Sequence, residues 1–201
     1  MKRRASTVIV LLVAISGIAA TYLVQRMSAP QIAAAQHLLD SREWLDVLAP
    51  ERYDNQPLQQ PLSLTDTRLD HSQLSAGYRA TLNGKPVAVL LRSQTQGYVG
   101  AIELLIAIEP NGRLLAVKPL EQRETPALGG HLADRPNAWL QAFVGKSSDV
   151  PTAAGWALKK DDGQFDQIAG ATITSRAVIN AVHDALRYFD EHRLALLGSG
   201  T

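Results

Sequence analysis

The stretch FDQIAGATITSRAVINAV, residues 165–182, changes character in its middle. Four small residues, Ala169-Gly170-Ala171-Thr172, lead into hydroxyls at Thr172, Thr174 and Ser175, and an apolar helical pattern starts directly behind them. Ala177, Val178, Ala181, Val182, Ala185, Leu186 and Phe189 recur at helical spacing, which predicts a helix from about Arg176 to His192 with one apolar face. Hydroxyls at a helix start have two readings. As caps, they accept a hydrogen bond from a first-turn N–H, worth about 1 kcal/mol. As a site, the unpaired N–H groups and partial positive charge of the helix N-terminus favour an anion such as phosphate. Gly170 and Ala171 then leave the backbone open to a bulky ligand. No Walker lysine and no dinucleotide glycine spacing accompanies them, so nucleotide hydrolysis and Rossmann binding fit poorly. On these residues alone both readings stand.

Upstream the pattern turns to strands. KPVAVLLRSQ (85–94) and GAIELLIAIE (100–109) are rich in apolar and β-branched residues. Pro110-Asn111-Gly112 then marks a turn into a further strand, because Asn-Gly between apolar runs is a strong hairpin signal. EQRETPALGGHLADRP (121–136) reads as a loop, and NAWLQAFV (137–144) as a short helix with Trp139, Leu140 and Phe143 on one face. GWALKK (155–160) is expected to be another strand, with DDGQFD (161–166) as a turn after it. Trp139 and Trp156 are read as core residues. From Glu51 to about Tyr78 the pattern is irregular and carries no assigned chemistry.

The beginning of the chain reads differently. MKRR precedes twenty uncharged residues, Ala5–Val24, long enough as a helix to cross roughly 30 Å of bilayer core. Lys2, Arg3 and Arg4 place the N-terminus in the cytoplasm and the rest beyond the membrane. A cleaved signal peptide would have a shorter apolar core and a small-residue end, whereas TYLVQRM is bulky. Ala29–Pro50 reads as a helix past the membrane, with Ile32, Leu38, Leu39, Trp44, Leu45 and Leu48 as its apolar positions.

Composition excludes several classes. The 201 residues suit one sizeable domain and an appendage, and the net charge of +1 has no basic stripe beyond residue 4, which disfavours nucleic acid. The absence of cysteine removes thiol catalysis, thiolate-held clusters and disulfides. His37, His71, His131, His183 and His192 lack ligand spacing, so no metal centre is expected. The expected organisation is a cytoplasmic tip and anchor at 1–26, a juxtamembrane helix and connector at 27–79, one domain at 80–193 and a flexible tail at 194–201.

Asp166, two residues, then AGATIT resembles the flavinylation motif of the FMN-binding domain family. In that family a flavin transferase joins FMN through its phosphate to the last hydroxyl of the motif, here Thr174. GYVGAIELLIAIEPNGRLLAVKPLEQRETPALGG (97–130) resembles the family's Gly-Tyr-x-Gly strand, Asn-Gly hairpin and Glu-Thr-Pro loop at Glu124, Thr125 and Pro126. With the anchor and ERYDN at Glu51–Asn55, nearly the whole chain resembles the flavin-bearing subunits of Rnf-type ion-translocating electron transport complexes. The resemblance implies an α+β fold, a single FMN-binding domain with a small, mostly antiparallel sheet and packed helices, on one N-terminal transmembrane helix. It implies a single-pass protein of the bacterial inner membrane with its domain on the periplasmic side.

It also implies roles for residues. Thr174 carries covalent FMN, Thr172 and Ser175 orient the phosphate, and Gly170 and Ala171 leave room for the ribityl chain and ring. Glu124, Thr125 and Leu128 lie beside the ring. Lys159 and Lys160 place a cation near it, or are exposed strand-end lysines. Tyr98 stacks on the ring or packs within its strand. The partners implied are other subunits of the membrane complex and a flavin transferase. The chain would be a redox subunit without a substrate pocket of its own, and its single uncharged span would not conduct ions. The alternatives are the C-type subunit of a sodium-pumping quinone reductase, which shares the domain and is typically longer, and a tethered structural subunit whose GATITS only caps a helix. Two positions depart from the family: Ala169, where Ser or Thr is usual, and Ala127, where the loop usually has Gly. If that Gly needs a positive φ, Ala127 strains the loop.

Overall fold

Two Asn-Gly pairs frame the sheet. At the first, Asn83 (φ 52°) and Gly84 (φ 74°) are both left-handed, the conformation that turns one strand tightly into the next. They join β1 (Ser72–Leu82) to β2 (Lys85–Gln96), with Leu82 opposite Lys85. At the second, Gly112 (φ 89°) donates its N–H to Glu109 O at 2.9 Å and the Asn111 side chain accepts from Arg113 N at 2.9 Å. This turn joins β3 (Ala101–Ile108) to β4 (Leu114–Glu121). Between the hairpins, Gly97 N donates to Gly100 O at 2.8 Å and closes the β2–β3 turn. The strands therefore lie in chain order, β1-β2-β3-β4, each antiparallel to the next.

The computed structural model describes residues 44–198. The expected anchor, Ala5–Val24, and most of the expected Ala29–Pro50 helix lie outside them. Among the described residues no helix is long and apolar enough to cross a membrane.

Both faces of the sheet are covered, which accounts for the nearly continuous apolar runs in β2 and β3. Val89 and Leu91 of β2, with Leu104 and Ile106 of β3, face the main core. Ala88, Leu90, Leu105 and Ala107 point the other way, against Leu48, Trp44 and Tyr53. The main core is closed by α2 (Thr172–Glu191), after the short α1 (Ala138–Gln141). Val178, Ala181, Val182, Ala185, Leu186 and Phe189 are buried as their spacing predicts, and Ile179, Tyr188 and Asp184 widen the buried face. Asp184 is compensated by donors from the start of β1: the His71 N–H at 2.8 Å and the Ser72 hydroxyl at 3.0 Å. Beneath α1, Phe143 stacks on Phe165 and Trp156, with centroids 4.7 and 6.2 Å apart. Trp156 is buried as expected, while Trp139 is only partly so, its indole N–H donating to Asp166 O at 2.6 Å.

Four expectations are corrected. The segment read as irregular to about Tyr78 becomes β1 from Ser72, so the expected boundary at 79/80 falls inside a strand. Its alternation of small and polar residues gives little apolar signal, and its ladder to β2 sets its conformation. GWALKK is not a strand: Ala153–Gly155 and Lys159–Asp161 are single helical turns, and Leu158 makes one isolated parallel bridge to Phe165. Its backbone is spent on turns, Asp161 N and Gly163 N both donating to Leu158 O. The tail folds as far as Leu197 in α3 (Arg193–Leu197), whose Leu196 is buried and whose carbonyls accept from Arg79 at 2.6 and 3.0 Å. Finally, α2 begins at Thr172 rather than near Arg176.

Candidate functional site

That earlier start changes the meaning of the hydroxyls. The N-cap is Ala171, and no side chain caps the helix. The first main-chain bond is Ser175 N to Ala171 O at 2.9 Å, leaving the amides of Thr172, Ile173 and Thr174 at the open end. The capping account of GATITS is therefore corrected. Each hydroxyl instead has its own direction.

Thr174 points inward, 1% exposed, and its hydroxyl donates to the Glu124 carboxylate. Glu124 is 5% exposed, and its other oxygen accepts from the Val99 N–H at 2.9 Å. Two glycines make room for this pair. A Cβ at Gly97 would lie 2.6 Å from one Glu124 oxygen, and a Cβ at Gly129 would lie 2.7 Å from both the other oxygen and Thr174 Oγ1. Ser175 is fully buried and serves the backbone: it accepts from the Ile168 N–H at 2.9 Å and donates to Ala171 O at 2.8 Å. Both bonds hold the turn before the helix, so the expected role of Ser175 in orienting a phosphate is replaced by that of a clamp. Thr172 is partly exposed, donates to the Gln167 side chain at 3.0 Å and accepts from Lys160 Nζ at 3.1 Å.

A cavity of about 330 Å3 lies beside these groups, lined by Tyr98, Glu124, Thr125, Leu128, Gly129 and residues 170–174. It falls within the usual range for small-molecule sites, roughly 300–1,000 Å3. Its rim is apolar and exposed: Tyr98 (69%), Leu128 and Ile173 are among the most exposed large apolar residues described. Larger hollows elsewhere, such as one of about 500 Å3 between β4 and Arg135–Gln141, hold no comparable set of hydroxyl and carboxylate.

The fold thus brings Glu124, Thr125, Leu128, Gly170, Ala171, Thr172 and Thr174 to one cavity. Lys159 is not there: its ammonium pairs with Asp166 at 2.7 Å, while Lys160 reaches Thr172. Tyr98 sits in the β2–β3 turn, so it is not a packed strand residue. Ala169 faces solvent. Ala127 is not among the left-handed residues, which outside glycine are Asp66, Asn83 and Asp162 among those described, so no strain arises there. The residues missed from sequence are Val99, whose amide holds Glu124, and Gly97 and Gly129, which leave the space. The pairs Gly97-Tyr98 and Gly129-Gly130 were the available signal.

A phosphate-bearing aromatic group fits these features: an uncapped helix start, a hydroxyl acceptor, small residues at the approach and apolar walls. The class they define is that of the FMN-binding domains, and residues 97–187 match the family described as FMN-binding domain. Similar proteins narrow this further. The G subunit of the ion-translocating oxidoreductase complex of Pseudomonas aeruginosa is 44% identical over 188 residues, which is 92% of this chain and 88% of that one. Its counterpart of the same name in Shewanella loihica is 35% identical over 177 residues, 87% of this chain and 84% of its own. The chain belongs to this family, the G subunits of Rnf-type ion-translocating oxidoreductase complexes. Among solved structures, the C subunit of the Na(+)-translocating NADH-quinone reductase from Parabacteroides distasonis is 22% identical, with a TM-score of 0.48 over 60% of this chain and 63% of that one.

Proposed function

We propose that this chain is a flavin-carrying electron-relay subunit of an ion-translocating oxidoreductase complex, with FMN joined through its phosphate to Thr174 Oγ. The observation that carries the reading is Thr174 itself: the last hydroxyl of the motif lies at the cavity, on an uncapped helix start, beneath an apolar rim. When bound, FMN supplies reversible acceptance and release of electrons, with a potential set by the hydrogen bonds, charge and burial around it.

The residues present suit that group. The open amides of α2 favour a phosphodiester, which keeps one negative charge, by about 0.3–1 kcal/mol. Lys160, held at Thr172, adds a cation on the same side. Leu128, Ile173 and Tyr98 offer apolar surface to a ring, and Gly170, left-handed at φ 69°, keeps the approach free of a side chain. Bringing phosphorus to Thr174 Oγ1 removes the proton that the hydroxyl shares with Glu124, so the attached state keeps the Val99 bond and loses the Thr174 one.

The wider setting belongs to the same proposal, and the relatives' names and the uncharged Ala5–Val24 segment support it. The domain is held by one span of a bacterial inner membrane, faces the periplasm, is matured by a flavin transferase and passes electrons between other subunits. It turns over no substrate of its own. The test is the intact mass of the full chain matured with a flavin transferase. The wild type gains one FMN phosphoryl group, Thr174→Val gains none, and Thr172→Val retains attachment. An unmodified wild type would overturn the reading.

A further inference from the structure

Thr174 is the more enclosed of the motif's two hydroxyls, and this bears on how any group could reach it. Attachment is a phosphoryl transfer. The Thr174 Oγ–P bond forms while the phosphoanhydride bond of an activated flavin mononucleotide breaks. The leaving nucleotide departs with the bridging oxygen and its electron pair, and the hydroxyl proton passes to a base of the transferase. The entering and leaving oxygens must lie nearly in line through phosphorus. A second protein must therefore surround the phosphate on the side of Thr174 Oγ.

The closed domain leaves no such clearance. Thr174 is 1% exposed and its hydroxyl is turned onto Glu124, whose carboxylate is walled by the backbones of Gly97 and Gly129. The cavity of about 330 Å3 is small beside an enzyme's donor site with its bound dinucleotide. We infer that the folded domain withholds Thr174 from its transferase, and that attachment takes place on an opened form in which the turn Ile168–Ala171 and the first turn of α2 have left Glu124. This inference rests on the flavin attachment proposed above and adds how that site is regulated.

The structure contains the parts for such an opening. The Ser175 hydroxyl clamps both ends of the turn, through Ile168 N and Ala171 O. Gly170 lies within it at φ 69°. Outside, the turn and helix start are tied by exposed pairs, Lys159–Asp166 and Arg176–Asp161, which as surface ion pairs contribute little. Past Ser175 the buried face continues through Val178 and Ile179 under the sheet. Opening lifts Ile168 and Ala171 from the edge of the main core with Thr174 and Ser175, and leaves the rest of the helix face from Val178 onward in place, a local event rather than a global one.

The experiment measures the rate of flavin attachment by mass, with one transferase and flavin adenine dinucleotide as donor, on three substrates. These are the folded full chain, its Ser175→Ala variant, and a free peptide of residues 165–182 as the ungated reference. The peptide is expected to react at least about tenfold faster than the folded chain, and Ser175→Ala to accelerate the chain by about tenfold or more, since it removes both buried hydrogen bonds of the clamp. Backbone hydrogen exchange accompanies each rate. In Ser175→Ala, residues 168–175 should exchange faster while 182–189 stay protected, which separates local opening from global unfolding. Equal rates for peptide and folded chain overturn the gate and leave the attachment standing, as does a chain that reacts when the peptide does not. No adduct on any substrate overturns the attachment and the gate together.

Discussion

At Thr174 the geometry is set by side chains that are absent. Gly97 and Gly129 let Glu124 lie against the hydroxyl, and neither position tolerates a Cβ without displacing a carboxylate oxygen. Gly129→Ala is therefore expected to cost about 1–3 kcal/mol by crowding and to push Thr174 away from Glu124, read as a lower denaturation midpoint. Gly100→Ala, where a Cβ would meet nothing within 4 Å, is the matched control and should leave the midpoint unchanged. At this scale the sequence was only partly legible. The motif pointed to Thr174, and the Glu-Thr-Pro loop pointed to Glu124. Their hydrogen bond spans fifty positions, and nothing local to either residue encodes it. The bonds of Ser175 are not legible either, because a hydroxyl near a helix start has the same sequence signal whether it faces a ligand or clamps the backbone. Lys159 and Lys160 are equivalent in sequence, and only the turn at Lys159–Asp161 sends the second towards Thr172.

Among elements, the hairpins were readable where apolar runs flank the turn. Asn111-Gly112 was read correctly, and Asn83-Gly84 carried the same signal beside the weaker alternation of β1. Gly84→Ala is expected to destabilise by roughly 1–2 kcal/mol, because its left-handed φ of 74° is costly for a residue with a Cβ. Nothing else lies within 4 Å of that position, so chemical denaturation should show a lower midpoint with an unchanged slope. For α2 the body was legible and the start was not. Apolar spacing defines the buried face from Val178 to Phe189, but Thr172-Ile173-Thr174 joins the helix through tertiary contacts that override the modest helix preference of β-branched residues. The same override acts on GWALKK, whose apolar residues serve the aromatic cluster under α1 rather than a ladder.

For the molecule as a whole, one histidine links stability to pH. His183 on α2 stacks on Trp156 at 5.0 Å, and its Nε2 lies 3.1 Å from Ser148 O. Burial pushes it below the ordinary histidine value of 6.5; the Ser148 carbonyl and Asp184 oppose this, while Arg187 and His71 add to it. The unfolded chain thus takes up a proton that the folded chain resists. Its contribution to stability is complete above 6.5 and is lost as pH falls through the lower folded value. Thermal midpoints should drop from about pH 7.5 to about pH 5.5, with a shallower drop in His183→Gln, checked by scanning both proteins across that range.

The consecutive order of the strands has a consequence for timing. Each hairpin pairs chain neighbours, and such short-range closures form early. By contrast, α2 has nothing to dock on until β1, β2 and β3 are assembled. In a newly made chain Thr174 is therefore among the last residues to be enclosed. Under the proposed attachment, maturation starts as a race between two clocks, the seating of the final long helix and the arrival of the modifying enzyme. On the attachment proposed above, a mutation that hurries folding would shorten this early window and leave more of the modification to the slower openings of the folded domain.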